Sequence, residues 1–392
     1  MVEADLAQTY MRENGIDAWL VYDFRGSNPV LWQLLGAPQP TTRRSFLLIP
    51  ARGEGQILGH SIDRDLFGDA GLPLQTYVSW TQMQEYLRAA LQGYHKVAME
   101  YSPLGALPTL SWVDGGTLEM VRSFGVEVVS SAALFQVALT TWSAAGLDSH
   151  LSACRHVEQI KDAAFDYIRQ GLQAQASPTE YEVQEFIVQE FERRNLDMDH
   201  RPIVGVNANS SNPHYDPQAR GSVSIRLGDW VLIDLWARHP GEQNVFGDIT
   251  WVACASATVS SQHQRIFDIV REARDRVVER LRLGWEREEK LQGWELDVVG
   301  RECIEQAGYG DYIVHRTGHS LGPGPRVHAL GVNLDNLETH DTRQVLPGTG
   351  FSVEPGIYLP EFGVRLEINV YMDPEKGPVV TTPAQREIVR LA

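Results

Sequence analysis

Five side chains that can bind a metal ion are spread over the second half of this 392-residue sequence. They are Asp234, Asp248, His319, Glu354 and Glu367. Four carboxylates and one imidazole directed at a common cavity would repel one another strongly without a cation. Two divalent ions would cancel the four negative charges. The pattern therefore predicts a hydrolase with a pair of metal ions.

The two aspartates are ambiguous when each is taken alone. Asp234 ends the apolar run 231–233, where an aspartate is also common as a turn residue. Asp248 lies in a second apolar segment, at the expected edge of a strand. Because Pro240 and Gly241 mark a loop between them, a β-hairpin would bring both carboxylates to one end.

Two histidines share a short segment that contains glycine. His315 and His319 lie close to Gly318 and Gly322, and glycine permits a close approach of the backbone. A single histidine is more often a hydrogen-bonding residue than a metal ligand. Two in one such segment indicate a functional site.

Strand alternation connects the last candidates. It puts Ser352 and Glu354 on one face of their strand, and Arg365, Glu367 and Asn369 on one face of the next. An ordinary half-solvated strand would show the same alternation. The pattern gains weight from its position after the other candidates.

The elements that must position these residues fall into two groups. Short strands at 17–22, 43–50, 96–100 and 126–129, with a helix at 82–91, predict an α/β domain. A long helix is predicted over 144–172, and a second begins at Ser177–Glu180 with a capping box and a proline in its first turn. The sequence after residue 201 is rich in strand patterns, apart from predicted helices at 262–283 and 294–307.

Composition excludes several classes of protein. The formal net charge of −17, from 34 basic and 51 acidic residues, argues against a nucleic-acid partner and an anionic membrane surface. No apolar run approaches the roughly 18 residues that a membrane span requires. The acidic N-terminus does not resemble a signal peptide. Three widely spaced cysteines, Cys154, Cys254 and Cys303, favour a reducing cytoplasm over a disulfide framework or a zinc site.

The order Asp, Asp, Gly-His, Glu-Pro-Gly and Arg-x-Glu resembles that of the pita-bread metallopeptidases. This family includes methionine aminopeptidase, aminopeptidase P, prolidase and the metal-free creatinase. The resemblance covers the whole chain. It implies an α/β creatinase-like N-terminal domain over residues 1–145 and an α+β pita-bread catalytic domain over residues 146–392.

The resemblance also implies a ligand set for two divalent ions. Asp234, Asp248 and Glu367 would bind or bridge both ions, and His319 and Glu354 would complete their separate shells. Oxygen-rich ligation with one imidazole and no thiolate favours Mn²⁺, with Co²⁺ or Zn²⁺ as alternatives.

Further roles follow from the same resemblance. His214 would lie beside the substrate, and His328 would steady the scissile carbonyl group. Glu354 would also guide the proton of the attacking water. His315 would support the Gly-His segment, and Arg365 would pair with a ligand or with a substrate carboxylate.

The sequence departs from the family pattern at several points. Trp251 stands where an arginine often follows the Asp-Ile-Thr segment, and Ala329 stands where a glutamate is usual. The loop between the two aspartates is longer than usual. The residues Gly322–Pro325 lengthen the path from His319 to His328.

Within the family, the two-domain layout implies cleavage before proline. The modest length favours an Xaa-Pro dipeptidase over an aminopeptidase P, acting as a homodimer on short proline-containing peptides. A metal-free creatinase-like amidinohydrolase and a catalytically inactive binding module are the alternatives from other classes. Both would be expected to have lost several of the ligands.

Overall fold

The structure is a computed structural model that describes residues 2–36 and 40–392, with only the backbone described for residues 2–4. The chain divides between Thr140 and Thr141 into two compact units. This division falls a few residues before the predicted domain boundary at 145/146.

The described part of the first unit contains a mixed sheet with the strand order β4-β3-β2-β1-β5-β6. Its strands are β1 (Ala18–Phe24), β2 (Arg44–Pro50), β3 (Gln56–His60), β4 (Leu74–Tyr77), β5 (Lys96–Met99) and β6 (Glu127–Ser130). The pairs β1–β2 and β2–β3 are antiparallel, and the other pairs are parallel. Four of these strands were predicted. β3 and β4 were not, because each is short and interrupted by polar residues or glycine.

Five α-helices precede, separate or follow these strands in the sequence of the described part of the first unit. They are α1 (Val2–Glu13), α2 (Pro29–Leu35), α3 (Trp80–Ala90), α4 (Gly115–Arg122) and α5 (Ala132–Leu139). α3 corresponds to the helix predicted at 82–91, and a capping box of Ser79 and Gln82 starts it. Met83 and Leu87 of this helix pack against Leu20 and Phe46 in the apolar core of the unit.

The second unit begins with two long helices and contains two more. They are α6 (Ala144–Gln173), α7 (Glu180–Arg193), α8 (Ser261–Glu286) and α9 (Gly293–Gln306). All four were predicted, but the predicted start of α7 is wrong in detail. The N-cap is Thr179, whose side chain forms the capping box with Glu182, so Pro178 lies before the helix.

Residues 141–392, all of which the structure describes, also form three sheets. Their strands are β7 (Ile203–Val206), β8 (Trp230–Ala237), β9 (Gly247–Cys254), β10 (Ser320–Leu321), β11 (Gly350–Val353), β12 (Gly356–Tyr358), β13 (Gly363–Arg365), β14 (Ile368–Asp373), β15 (Gly377–Val380) and β16 (Val389–Arg390). The sheet orders are β16-β9-β8-β7, β10-β11-β14-β15 and β12-β13.

The predicted hairpin is formed by β8 and β9, which pair in antiparallel register. Asp234 lies opposite Thr250, and Trp236 lies opposite Asp248. One prediction about it is wrong, because Asp234 does not end its strand. β8 continues through apolar residues to Ala237, so the aspartate occupies the middle of a buried strand.

The two faces of β8 have different partners. Ile233 and Leu235 face the apolar core that α6 and α7 cover, whereas Leu232 and Trp236 belong to the core on the opposite side. Since alternate residues of a strand point to opposite faces, Asp234 shares the second face. The helices thus bury one side of the sheet and leave the acidic side for the site.

No helix in the described ranges is both long and apolar enough to cross a membrane. All three cysteines lie within the described residues, where each is buried and free.

Candidate metal centre

Three of the five predicted ligands form a compact buried cluster. Asp248, His319 and Glu367 each offer a ligand atom, and these atoms lie within 4.8 Å of one another. β9 supplies the first residue, the segment before β10 the second, and the turn between β13 and β14 the third. The structure therefore brings together side chains that are far apart in the sequence.

His319 is prepared to act as a neutral ligand through Nε2. Its Nδ1 lies 3.1 Å from the backbone carbonyl oxygen of Ser320, which can accept a hydrogen bond from a protonated Nδ1. Its Nε2 is 3.3 Å from Asp248 Oδ2 and 3.4 Å from Glu354 Oε1. Burial lowers the pKa of His319 to about 3, so the imidazole is uncharged near neutral pH.

Glycine allows the segment that carries His319 to lie against β11. A side chain at Gly318 would collide with the carbonyl oxygen of Ser352. The same serine accepts the backbone N–H of His319 at 2.9 Å and donates its hydroxyl to Glu354 Oε1 at 2.9 Å. Glu354, just beyond the end of β11, is only half-buried and is the ligand candidate closest to solvent.

Asp234 lies beside the cluster and has protein partners of its own. Its Oδ2 forms an ion pair with Arg365, and its Oδ1 is 3.0 Å from the Thr250 hydroxyl. That hydroxyl is also 2.8 Å from Glu367 Oε2. Asp234 and Glu354 are therefore adjacent to the three-residue group but outside it.

The buried carboxylates are unfavourable without a cation. Burial, followed by repulsion from Asp234, raises the pKa of Asp248 well above its usual range. Burial and repulsion from Asp248 do the same for Glu367. Asp248 Oδ1 and Glu367 Oε1 are buried and have no hydrogen-bond partner among the described residues. Oxygen atoms left in this way fit a metal ion, because a buried carboxylate is otherwise paired.

Three further histidines were predicted to have roles, and their surroundings differ. His328 is an exposed residue, and its ring centroid lies 4.0 Å from the ring centroid of His319. His315 Nε2 is 2.7 Å from the Tyr358 hydroxyl, which also accepts Arg365 Nη1 at 3.0 Å. His214 is exposed, and no side-chain hydrogen bond among the described residues joins it to the cluster.

Residues 150–374 match the sequence profile of Metallopeptidase family M24. The chain belongs to this family. The pita-bread fold is the one that the sequence resemblance implied. Members of the family depend on paired metal ions, and the buried carboxylates and imidazole of this chain provide a possible metal site.

Named relatives of this M24 chain are matched over part of their length. An Xaa-Pro dipeptidase of Lactobacillus helveticus is 32% identical over 166 residues, which cover 42% of this chain and 40% of the relative. An Xaa-Pro dipeptidase of Pyrococcus furiosus is 32% identical over 188 residues, or 48% of each chain. The chain thus spans about half the length, or less, of these curated relatives.

Solved structures agree with the M24 fold along almost the whole chain. A dipeptidase from Mycobacterium ulcerans has a TM-score of 0.73 at 21% identity, covering 99% of this chain and 97% of that one. A prolidase from Thermococcus sibiricus has a TM-score of 0.67 at 20% identity, covering 99% and 98%. An X-Pro aminopeptidase from Thermotoga maritima has a TM-score of 0.61 at 20% identity, covering 97% and 99%. The fold class predicted from the sequence is confirmed.

Two site residues of this M24 chain were not predicted to have a role. Thr250 contacts Asp234 and Glu367, and its position opposite Asp234 in the hairpin could have identified it. Asn369 was placed on the same face as Glu367 but was given no function. Its amide accepts the backbone N–H of Asp248 at 2.9 Å and donates to the backbone carbonyl of Asp248 at 2.7 Å, so it fixes that ligand's backbone.

The half-solvated strand considered for residues 364–369 is excluded. Arg365, Glu367 and Asn369 are buried, and so are Leu366 and Ile368 on the opposite face.

The departure at Trp251 lies away from the cluster of this M24 chain. Because Thr250 faces the carboxylates, the next residue of β9 faces the opposite side. Trp251 packs there against the core beneath α6, with the Lys161 ammonium 3.5 Å from a ring centroid. Trp251, which forms this cation–π contact, stands at the position where an arginine is frequent in the family.

Proposed function

We propose that this M24 protein is a metal-dependent exopeptidase that hydrolyses the peptide bond before proline, and specifically an Xaa-Pro dipeptidase. The observation that carries the metal dependence is the pair of unpartnered buried oxygen atoms on Asp248 and Glu367, next to neutral His319. The proline specificity is supported by the named Xaa-Pro dipeptidases among the relatives.

The proposed ligands of two divalent ions are Asp234, Asp248, His319, Glu354 and Glu367. Together with Arg365, the four carboxylates carry a formal charge of −3, so a second ion is needed to turn the site positive. Mn²⁺ is the ion that this oxygen-rich set favours, with Co²⁺ or Zn²⁺ as alternatives. When bound, the ions would supply the Lewis acidity that lowers the pKa of a water molecule and polarises the substrate carbonyl.

Glu354 is the proposed proton carrier. It is the ligand candidate closest to solvent, and its Oε1 receives the Ser352 hydroxyl at 2.9 Å. A carboxylate held in this way can take the proton of the attacking water and deliver it to the leaving proline nitrogen. Its Oε2 lies 3.8 Å from Arg365 Nε.

His328 is the proposed donor to the scissile carbonyl oxygen. The residue is exposed, and its ring lies against the ring of His319. A donor at this place stabilises the negative charge that grows on the carbonyl oxygen. His214 is proposed to contact the substrate from its exposed segment.

The remaining residues would support this centre. His315 and Arg365 share the Tyr358 hydroxyl, and Arg365 also holds Asp234, so the three side chains orient one another. We also propose that the protein acts as a homodimer in the cytoplasm, where unpaired cysteines are stable.

A side-by-side assay tests the proposed function. Purified protein, reloaded with Mn²⁺ after chelation, would be given Ala-Pro, Ala-Pro-Ala, an N-terminal Met peptide and creatine. A dipeptidase cleaves the first, and an aminopeptidase P prefers the second. Cleavage of creatine without metal would instead indicate the amidinohydrolase, and no turnover of any substrate would indicate a binding module.

A further inference from the structure

The carboxylate of Asp199 joins the segment that carries His328 to the metal-site hairpin. Asp199 lies in the connection between α7 and β7 and is half-buried. One oxygen accepts the indole N–H of Trp236 in β8 at 2.6 Å. The other accepts the backbone N–H of Val327, the residue before His328, at 3.1 Å.

The segment that Asp199 contacts has little other hydrogen-bonding support, and its packing comes from the Val327 side chain, which is buried in the apolar core. Residues 322–328 contain Gly322–Pro325 and have no helix or strand. Among the described residues, the bond from the Val327 N–H to Asp199 is the one hydrogen bond made by residues 322–328. The next residue, Ala329, donates its N–H to the Ser320 carbonyl at 2.9 Å. The two prolines also remove two backbone donors.

The other end of this contact is rigid and close to the proposed ligands. Trp236 lies opposite Asp248 in the β8–β9 register, and both are buried. A charged acceptor between Trp236 and Val327 therefore fixes the spacing between the strand pair and the histidine segment. Hydrogen bonds to a carboxylate are about twice as strong as neutral ones, which suits a tether on an irregular segment.

We propose that Asp199 is a positioning residue that holds His328 at the distance from the metal centre that the substrate carbonyl requires. The proposal rests on the proposed function, in which His328 contacts that carbonyl. Among the described residues, Asp199 forms no hydrogen bond or ion pair with a proposed ligand, although its charge acts on Asp248 and His328 through space. The proposed positioning acts through Val327, so this part of the effect must disappear when His328 is absent.

Hydrogen–deuterium exchange tests the tether without any use of activity. In Asp199→Ala, we expect the amide of Val327 to exchange roughly tenfold faster, because it loses its charged acceptor. The matched control is Asp197→Ala, because Asp197 lies on the same connection, is about half exposed and has its carboxylate 3.9 Å from Arg238. Unchanged exchange in Asp199→Ala would overturn the proposal.

A double-mutant cycle tests the positioning role. We expect Asp199→Ala to lower kcat roughly 10- to 100-fold with little change in KM or bound metal, since small misplacements of catalytic groups carry such costs. In a His328→Ala background the same substitution should cost almost nothing further. An equal cost in both backgrounds would show that Asp199 acts through another group and would overturn the proposal.

Asp199→Asn covers the case in which the alanine variant does not fold. Its amide keeps one acceptor oxygen but turns an NH₂ group toward the second donor, so a smaller change in the same direction is expected. If the wild-type enzyme is active and Asp199→Asn changes neither exchange nor turnover, the Asp199 proposal is overturned and the proposed function still stands. A wild-type protein that cleaves no Xaa-Pro substrate would overturn the proposed function, and the positioning role with it.

Discussion

Thr250 lies opposite Asp234 in the hairpin and places one hydroxyl oxygen between two buried carboxyl groups. It is 3.0 Å from Asp234 Oδ1 and 2.8 Å from Glu367 Oε2, and it accepts Arg365 Nε–H at 3.0 Å. A threonine hydroxyl has a single proton to donate. This proton can be donated to one carboxylate or shared between the two, and burial, which raises the pKa of Asp234 and of Glu367, favours a further proton on this pair in the metal-free protein.

Metal binding should therefore release protons. The raised pKa of Asp234, Asp248 and Glu367 means that the metal-free cluster holds protons that cations must displace. Affinity for Mn²⁺ should consequently rise with pH. Calorimetric titration in buffers with different ionisation enthalpies measures the release, and an apparent binding enthalpy independent of the buffer would contradict it.

Thr250→Val should weaken metal binding while it preserves the shape of the strand. Loss of the hydroxyl removes a group that orients Asp234 and Glu367, and such losses reduce metal affinity roughly 10- to 100-fold. Thr250→Ser keeps the hydroxyl and is the matched control. Competition with a fluorescent chelator measures both variants, and equal affinities for the two would exclude an orienting role.

Glu367→Gln should stabilise the metal-free protein and abolish its response to metal. Burial and repulsion from Asp248 and Glu354 disfavour the ionised form of Glu367, so a neutral amide avoids the cost of ionising or protonating this group, which we expect to be worth on the order of 1 kcal/mol. Thermal unfolding with and without Mn²⁺ measures both effects.

Asp248→Ala and Glu367→Ala should likewise remain folded but lose turnover. Near-normal activity in either variant would mean that the bridging role is misassigned.

The hairpin shows how far the sequence could predict the site. The apolar runs around Asp234 and Asp248, with Pro240 and Gly241 between them, were sufficient to predict two paired strands. They were not sufficient to predict that Asp234 lies in mid-strand, because an aspartate after three apolar residues is equally typical of a turn. The face that it occupies depends on α6 and α7 covering the other side, which is a tertiary relationship.

Contacts made by short polar side chains were harder to predict. Thr250 contacts Glu367, and Asn369 contacts Asp248, through hydrogen bonds between residues more than a hundred positions apart, and such pairs leave no periodic signal. Asp199 is a similar case, since its two donors come from β8 and from the segment before His328. The family pattern could suggest candidate ligands, but not the residues that contact those candidates here.

A separate pH effect is expected in the first unit, at the buried Glu100. Trp19, Asn28 and Ser131 donate to its carboxylate, yet burial raises its pKa from 4.5 to about 7. The folded form therefore keeps a proton that the unfolded chain releases, and stability should fall as pH rises through this window, by on the order of 3 kcal/mol. In Glu100→Gln the side chain does not titrate, so this pH dependence should be absent.

Thermal unfolding of Glu100→Gln and of the wild type across pH measures the effect. The variant should gain stability relative to the wild type as pH rises from 4.5 to 7, and the difference should then level off. A difference that is constant over the whole range would show that Glu100 does not titrate there.

Anomalous diffraction from crystals grown with excess manganese measures the metal centre most directly. We predict two anomalous peaks per chain, enclosed by the side chains of Asp234, Asp248, His319, Glu354 and Glu367. Crystals of catalytically active protein that show no peak among these five side chains, or strong peaks only elsewhere, would contradict the proposed two-metal centre.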